Sequence, residues 1–188
     1  MPTAKAQLLA LLKDRCYKEG DFTLASGARS SYYLDTKLLS TSSVGAALIG
    51  QVLYDRLKTM DIDAIGGLEI GAIPLTTATV YTYHQQGRVI EGFFVRNEAK
   101  GHGTRKLIEG RLRSGSRCVV VDDVATSGAS IMRAVNAVRK AECVPVLVLA
   151  LVDRLAGAAE LFKREGVPYE TVYTVRDFAG AHEKTPAG

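Results

Sequence analysis

Between residues 118 and 138 the hydrophobic pattern changes period once, across a pair of acids. Cys118-Val119-Val120-Val121 runs straight into Asp122-Asp123, then Val124-Ala125-Thr126-Ser127-Gly128-Ala129-Ser130, and apolar residues recur at Ile131, Ala134, Val135 and Val138. The spacing i, i+3, i+4, i+7 is helical, whereas a short β-branched run bounded by polar residues suits a buried strand. The segment therefore predicts a strand, an acidic tip, a tight turn around Gly128 and a helix. In an open α/β sheet, ligands bind in the crevice at such strand tips. Backbone N–H groups from Thr126 to Ser130 point out of a helix N-terminus, and the hydroxyls of Thr126, Ser127 and Ser130 add donors for an anion. Asp122 and Asp123 repel phosphate and accept hydrogen bonds from neutral hydroxyls instead, so the parts together suit a sugar phosphate. Acids that merely cap the next helix would be the blander account, but that leaves the hydroxyl-Gly turn unexplained. A phosphate loop of the Lys-containing type is excluded, because no Lys follows Gly128 in the turn.

Alternation of this kind runs through most of the chain. Strands are predicted over 63–67, 89–96, 118–122, 144–152 and 171–175. Helices are predicted over about 40–58, 74–86 and 128–141, with another after 153 that carries Leu155, Ala158, Ala159 and Phe162 on one face. This is the pattern of an α/β fold with a mostly parallel central sheet flanked by helices. Ahead of it, a helix over 3–19 places Leu8, Leu11, Leu12 and Cys16 on one face, and short strands at 22–25 and 32–35 flank a turn. Residues 97–114 read as a long polar loop. No repeat or linker divides the 188 residues, so one domain over 1–188 is expected.

Apolar residues make up 47% and charged residues 23%, and no apolar run approaches the length of a membrane span. The first residues lack a leader pattern, so a cytoplasmic protein with no membrane partner is expected. Cys16, Cys118 and Cys143 are odd in number and far apart, each within an apolar-periodic stretch, which suits buried reduced thiols better than disulfides or a metal site. A net charge of +4 comes from basic residues that are scattered except between Arg96 and Arg113, so polyphosphate is favoured over nucleic acid as the partner. In that stretch Arg96, Lys100 and His102 place cations among glycines. A solvated surface loop is the commoner origin of such a pattern, but the chemistry is also that of a lid closing over a polyanion. Arg154 follows the strand 144–152. A lone Arg there is more often a surface ion pair, yet at a strand's carboxyl end it lies beside the proposed site.

Val119-Val-Val-Asp-Asp-Val-Ala-Thr-Ser-Gly-Ala-Ser130 resembles the phosphoribosyl-pyrophosphate (PRPP) signature of type I phosphoribosyltransferases. Other segments narrow the likeness to the orotate phosphoribosyltransferases. Arg96-Asn-Glu-Ala-Lys100-Gly-His102-Gly is similar to their catalytic loop, which reaches across a dimer. Phe22-Thr-Leu-Ala-Ser-Gly-Ala-Arg-Ser-Ser-Tyr-Tyr-Leu-Asp35 is similar to their hood over the base, and Arg154 matches the position that grips the base's carboxylate. Gly66-Gly67-Leu-Glu-Ile-Gly71-Ala-Ile-Pro74 is similar to a pyrophosphate loop that often holds a non-proline cis peptide, here expected at Glu69-Ile70.

The resemblance implies the type I fold, with a small hood mainly over 1–40 and a core over about 41–176. It implies PRPP contacts from Arg96, Lys100, His102, Asp122, Asp123, Val124, Ala125, Thr126, Ser127, Gly128, Ala129 and Ser130. Catalytic roles fall to Lys100, His102, Asp122 and Asp123, and orotate contacts to Thr126 and Arg154. Mg2+ is expected mainly through the substrate, with no direct protein ligand. The activity implied is transfer of the phosphoribosyl group to orotate in UMP biosynthesis, by a homodimer whose loop acts in trans. Ala25, Asn97 and Gly71 stand where relatives can have basic residues. The alternatives are a transferase for another base and a non-catalytic regulator sensing PRPP. The hairpin and Arg154 argue against the first, and the retained Arg96, Lys100 and His102 argue against the second.

Overall fold

Strands β3 (Ala64–Leu68), β6 (Arg117–Ala125) and β7 (Val144–Asp153) are almost wholly buried, so each needs helices over both of its faces. The computed structural model describes residues 1–23, 29–97 and 107–178. With β4 (Glu91–Val95), β5 (Ile108–Gly110) and β8 (Tyr169–Thr174), these strands form a six-stranded sheet of order β5-β4-β3-β6-β7-β8. Every neighbouring pair is parallel except β4 and β5. The expected mixed α/β fold with a mostly parallel sheet is therefore the one observed.

Alternate strand residues sort to opposite faces. Val119, Val121, Leu147, Leu149 and Leu151 enter a core covered by α1 (Ala4–Arg15), α3 (Ser43–Leu57) and α4 (Ala72–Gln85), through Leu8, Leu12, Leu53, Leu57 and Leu75. Cys118, Val120, Val148 and Ala150 enter a second core, covered by the stripe Ile131, Ala134, Val135 and Val138 of α5 (Ala129–Lys140) and by Phe162 of α6 (Ala158–Arg164). Thr3 caps α1 by accepting the Ala6 N–H at 3.2 Å, and Ser42 caps α3 by accepting that of Gly45 at 3.1 Å.

Several expected boundaries are corrected. The first helix stops at Arg15, and Tyr17 instead opens β1 (Tyr17–Thr23), antiparallel to β2 (Arg29–Leu34). The Tyr17 ring lies 5.6 Å from that of Tyr32 and 5.3 Å from that of Phe178, at the end of a 3-10 turn (Val175–Phe178). This aromatic packing across the fold overrides local helical periodicity. A short helix, α2 (Lys37–Ser40), precedes α3. Strand β5 lies inside the expected loop, where three residues are too few to show a period; its Ile108 faces Val95. Leu155 and Ala159 do not join the buried face of α6. That helix begins only after Gly157, at φ 106°, leaving Leu155 45% exposed and Ala159 exposed as well.

No helix among the described residues is long and apolar enough to cross a membrane. All three cysteines are buried and unpaired, as expected. Burial pushes the thiol of Cys16 up to about 11 and that of Cys118 up to about 12. A thiolate is the reactive form. Ellman's reagent at mildly alkaline pH should therefore leave the folded protein unlabelled and titrate three thiols after unfolding. Rapid labelling of the folded protein would contradict this packing.

Candidate active site

The strand order reverses between β3 and β6, since β3 leads outward to β4 while β6 leads the other way to β7 and β8. Crevices at such a reversal are the ligand sites of open α/β sheets. Here one wall is the loop Glu69-Ile70-Gly71 after β3, with the Glu69–Ile70 peptide cis at the position expected from the sequence. The other is the carboxyl end of β6, bearing Asp122 and Asp123. The two walls nearly touch. A Cβ on Gly71 would lie 2.3 Å from Asp123 Oδ1 and 2.9 Å from Asp122 Oδ1, so glycine alone allows this approach.

Both acids are buried, and their oxygens are held. Asp122 Oδ1 accepts the Asp123 N–H at 3.0 Å, and Asp123 Oδ1 accepts the Val124 N–H at 2.9 Å. Asp123 Oδ2 accepts both the Thr36 hydroxyl at 2.6 Å and the Lys37 ammonium at 3.1 Å. Burial, and then the neighbouring charge of Asp123, push the Asp122 carboxyl up to about 7, against the opposing pull of the Asp123 N–H and of Lys37. For Lys37, partial burial favours the neutral amine, but the attraction of Asp123 and Asp35 outweighs it and holds the ammonium above its ordinary value.

Beyond the acids, Thr126, Ser127, Ala129 and Ser130 are exposed around a buried Gly128. Gly128 has φ 79°, and a Cβ there would meet Phe162 at 3.0 Å and Leu161 at 3.1 Å, so the turn is pressed onto α6. Gly128 at the N-cap offers no side chain; Ser127 Oγ accepts only the Ala129 N–H, at 3.5 Å, which leaves the N–H groups of Ser130 and Ile131 for a ligand. Half-buried Val124 and buried Ala125 contribute backbone. The Ala125 carbonyl accepts the Arg154 N–H at 2.9 Å, which sets Arg154 beside the turn. The Arg154 guanidinium donates from Nε to the Tyr32 hydroxyl at 2.9 Å and from Nη2 to Ser30 Oγ at 3.1 Å, and lies 4.5 Å from the Tyr32 ring centroid. A guanidinium has five N–H donors, so three remain once these two bonds are made.

Arg96 lies one strand further out, at the end of β4, with its guanidinium 3.8 Å from Glu109 of β5. Asn97 acts as a brace. Its N–H donates to Glu69 Oε1 at 2.8 Å and its Nδ2 to the Glu69 carbonyl at 3.3 Å. Its own Oδ1 and carbonyl accept from Arg133 of α5 at 3.1 and 2.7 Å. Lys100, His102 and Ala25 lie outside the described residues. The fold thus gathers Asp122, Asp123, the turn 124–130 and Arg154 on one sheet edge, and sets Arg96 beside Glu109. Sequence reasoning missed Thr36, Lys37, Asn97 and Arg133 as site residues. No local pattern could link Lys37 to an acid 86 positions away.

Among the described residues, no group of three or more His, Cys, Asp or Glu could hold a metal. Two carboxyl groups already engaged by donors fit Mg2+ carried through substrate oxygens and water rather than by a protein cage.

No family model matches the chain. An orotate phosphoribosyltransferase of Rhodopseudomonas palustris is 39% identical over 93% of this chain and 96% of its own. The crystal structure of the Mycobacterium tuberculosis orotate phosphoribosyltransferase with Fe(III) dicitrate has a TM-score of 0.83 at 37% identity, covering 94% of this chain and 99% of that one. The same enzyme in complex with 5-phospho-α-D-ribosyl 1-diphosphate gives 0.79 at 34% identity, with 94% and 99% covered.

Two outcomes are expected from this geometry. Gly71→Ala displaces the acid pair or the cis loop and should lower turnover by roughly 100-fold, because small misplacements of a reacting group are costly. Turnover near wild type would contradict the close approach. For Asp122, the folded state keeps a proton up to about pH 7 that the unfolded chain sheds near 3.8, so this group's contribution to stability falls as pH rises through that window. In thermal melts, Asp122→Asn should gain on wild type from acid to neutral pH, by roughly 10 °C at its fullest. A Tm difference independent of pH would count against it.

Proposed function

The chain belongs to the orotate phosphoribosyltransferase family, and from that premise we propose its reaction and the parts its residues play. The phosphoribosyl group of PRPP passes to orotate, giving orotidine 5′-monophosphate and diphosphate, in pyrimidine biosynthesis. One observation carries the reading: an acid pair, an open helix N-terminus with exposed hydroxyls, and a prepositioned Arg share one edge of the sheet.

Breaking the bond at C1 of the ribose builds oxocarbenium character, as in glycoside cleavage. The leaving group is a polyanion, so the main catalytic demand is to stabilise departing charge. In this mechanism Asp122 and Asp123 hold the ribose hydroxyls, and the N–H groups and hydroxyls of Thr126–Ser130 hold the 5′-phosphate. Arg154 offers its remaining donors as a fork to the orotate carboxylate, a pairing that suits guanidinium geometry, with Thr126 beside it. The acceptor nitrogen of orotate is readily anionic, so no strong protein base is required. When bound, Mg2+ supplies charge neutralisation on the diphosphate. Arg96, Lys100 and His102 come from a second subunit and meet the diphosphate as it leaves.

A homodimer is part of this reading. Its support is an apolar cleft of about 490 Å³ along α4 and β4, lined by Ile73, Thr77, Val80, Tyr81, His84 and Phe94, with Tyr81 61% exposed. We also read the chain as one domain, with the hood over 1–40 and the core over 41–176, working in the cytoplasm.

The direct test is the loss of orotate's ultraviolet absorbance on adding PRPP and Mg2+. Orotate should be consumed, while uracil, hypoxanthine and adenine should not. Diphosphate release with another base but not with orotate would overturn the substrate assignment. Lys100→Ala and His102→Ala should each lower turnover by roughly 100- to 1,000-fold, the usual effect of removing one donor aimed at developing charge. Mixed dimers of Lys100→Ala and Asp123→Ala subunits should regain part of the activity, and no recovery would argue for a site built within one chain.

A further inference from the structure

Lys37 and Thr36 stand outside every motif recognised in the sequence, yet both bind one oxygen of Asp123. They begin α2, directly after the hood strand β2, and take the Asp123 oxygen that does not lie against Gly71. Asp123 Oδ1, left to the Val124 N–H, is the oxygen that lies against Gly71 in the crevice. We propose that Lys37, together with Thr36, is a positioning residue for PRPP: by holding Asp123 Oδ2, it fixes the carboxylate so that Oδ1 is presented to the ribose. This rests on the reading of Asp123 as a ribose ligand.

A plain staple between hood and core would be the simpler role, but two observations favour positioning. The hood is already anchored by α1, whose Leu8 and Leu12 are fully buried, and by the Tyr17 ring on Phe178. It does not need this ion pair to stay in place. The pair is also lopsided: the Asp123 side chain is 10% exposed and that of Lys37 51%. The acid is fixed in the sheet and the cation reaches it from a more exposed position. A carboxylate free to rotate would lose the preset direction of Oδ1, and such preorganisation is what a binding group contributes beyond its charge.

The test compares Lys37→Met, Lys37→Arg and Thr36→Val with wild type, in steady-state assays with each substrate varied and in calorimetric titration with PRPP and Mg2+. Lys37→Met keeps the Thr36 bond to Asp123 and should fold normally. Its kcat/KM for PRPP should fall about 10- to 100-fold, the scale of a charge-assisted hydrogen bond, with PRPP binding weakened to match. The KM for orotate should stay near wild type. Thr36→Val should act in the same direction, and Lys37→Arg should recover most of the loss, because its guanidinium can donate to the same oxygen. PRPP parameters unchanged in Lys37→Met would overturn the proposal. So would a drop shared equally by both substrates, or an Arg variant no better than Met. Failure of the wild type to consume orotate would instead strike at the proposed reaction, and titration with PRPP would still read Lys37 directly.

Discussion

Thr36 and Lys37 bind the carboxyl group of Asp123 from the N-terminal hairpin side, while Gly71 presses against it from the loop after β3. Buried carboxylates persist in proteins when hydrogen-bonded and paired, and removing one partner leaves a charge that is costly to keep. The arrangement therefore joins three stretches of chain that are distant in sequence. Displacing α2 and the hairpin before it strips donors from Asp123, and widening the gap between β3 and β6 uncovers the pair. The same contacts that make the crevice narrow also make it difficult to distort.

Much of this was legible beforehand, for identifiable reasons. The segment 118–138 advertised itself through a change of period across Asp122-Asp123, and apolar strands alternating with amphipathic helices marked the parallel sheet around it. What escaped depended on contacts far along the chain. Tyr17 leaves the helical pattern because of Tyr32 and Phe178. Strand β5 exists because β4 offers an edge, not because three residues carry a pattern. Leu155 looked like the start of an apolar stripe, but the turn that positions Arg154 delays the helix to Ala158. Lys37 and Arg133 are ordinary surface cations until the fold brings Asp123 and Asn97 to them.

The electrostatics of the site also differ from what two adjacent acids suggest. Two full negative charges would oppose a ligand bearing phosphates at both ends. Burial and mutual repulsion instead let Asp122 retain a proton up to about pH 7, and Lys37 offsets the charge of Asp123. The pair can then offer hydrogen-bonding oxygens with less net charge than its composition implies, while the basic residues of the chain supply the long-range attraction.

Arg154 is already positioned by its neighbours without any ligand. Ser30 and Tyr32 hold it by two hydrogen bonds, and its plane rests on an aromatic column running from Tyr32 through Tyr17 to Phe178. The rotamer freedom of this long side chain is thus surrendered during folding, and an incoming carboxylate does not have to freeze it. In the proposed mechanism, discrimination follows from the same rigidity. A ring that lacks the acid group would strip water from fixed donors that cannot turn elsewhere, and such stranded N–H groups penalise the wrong guest more than a matched one is rewarded.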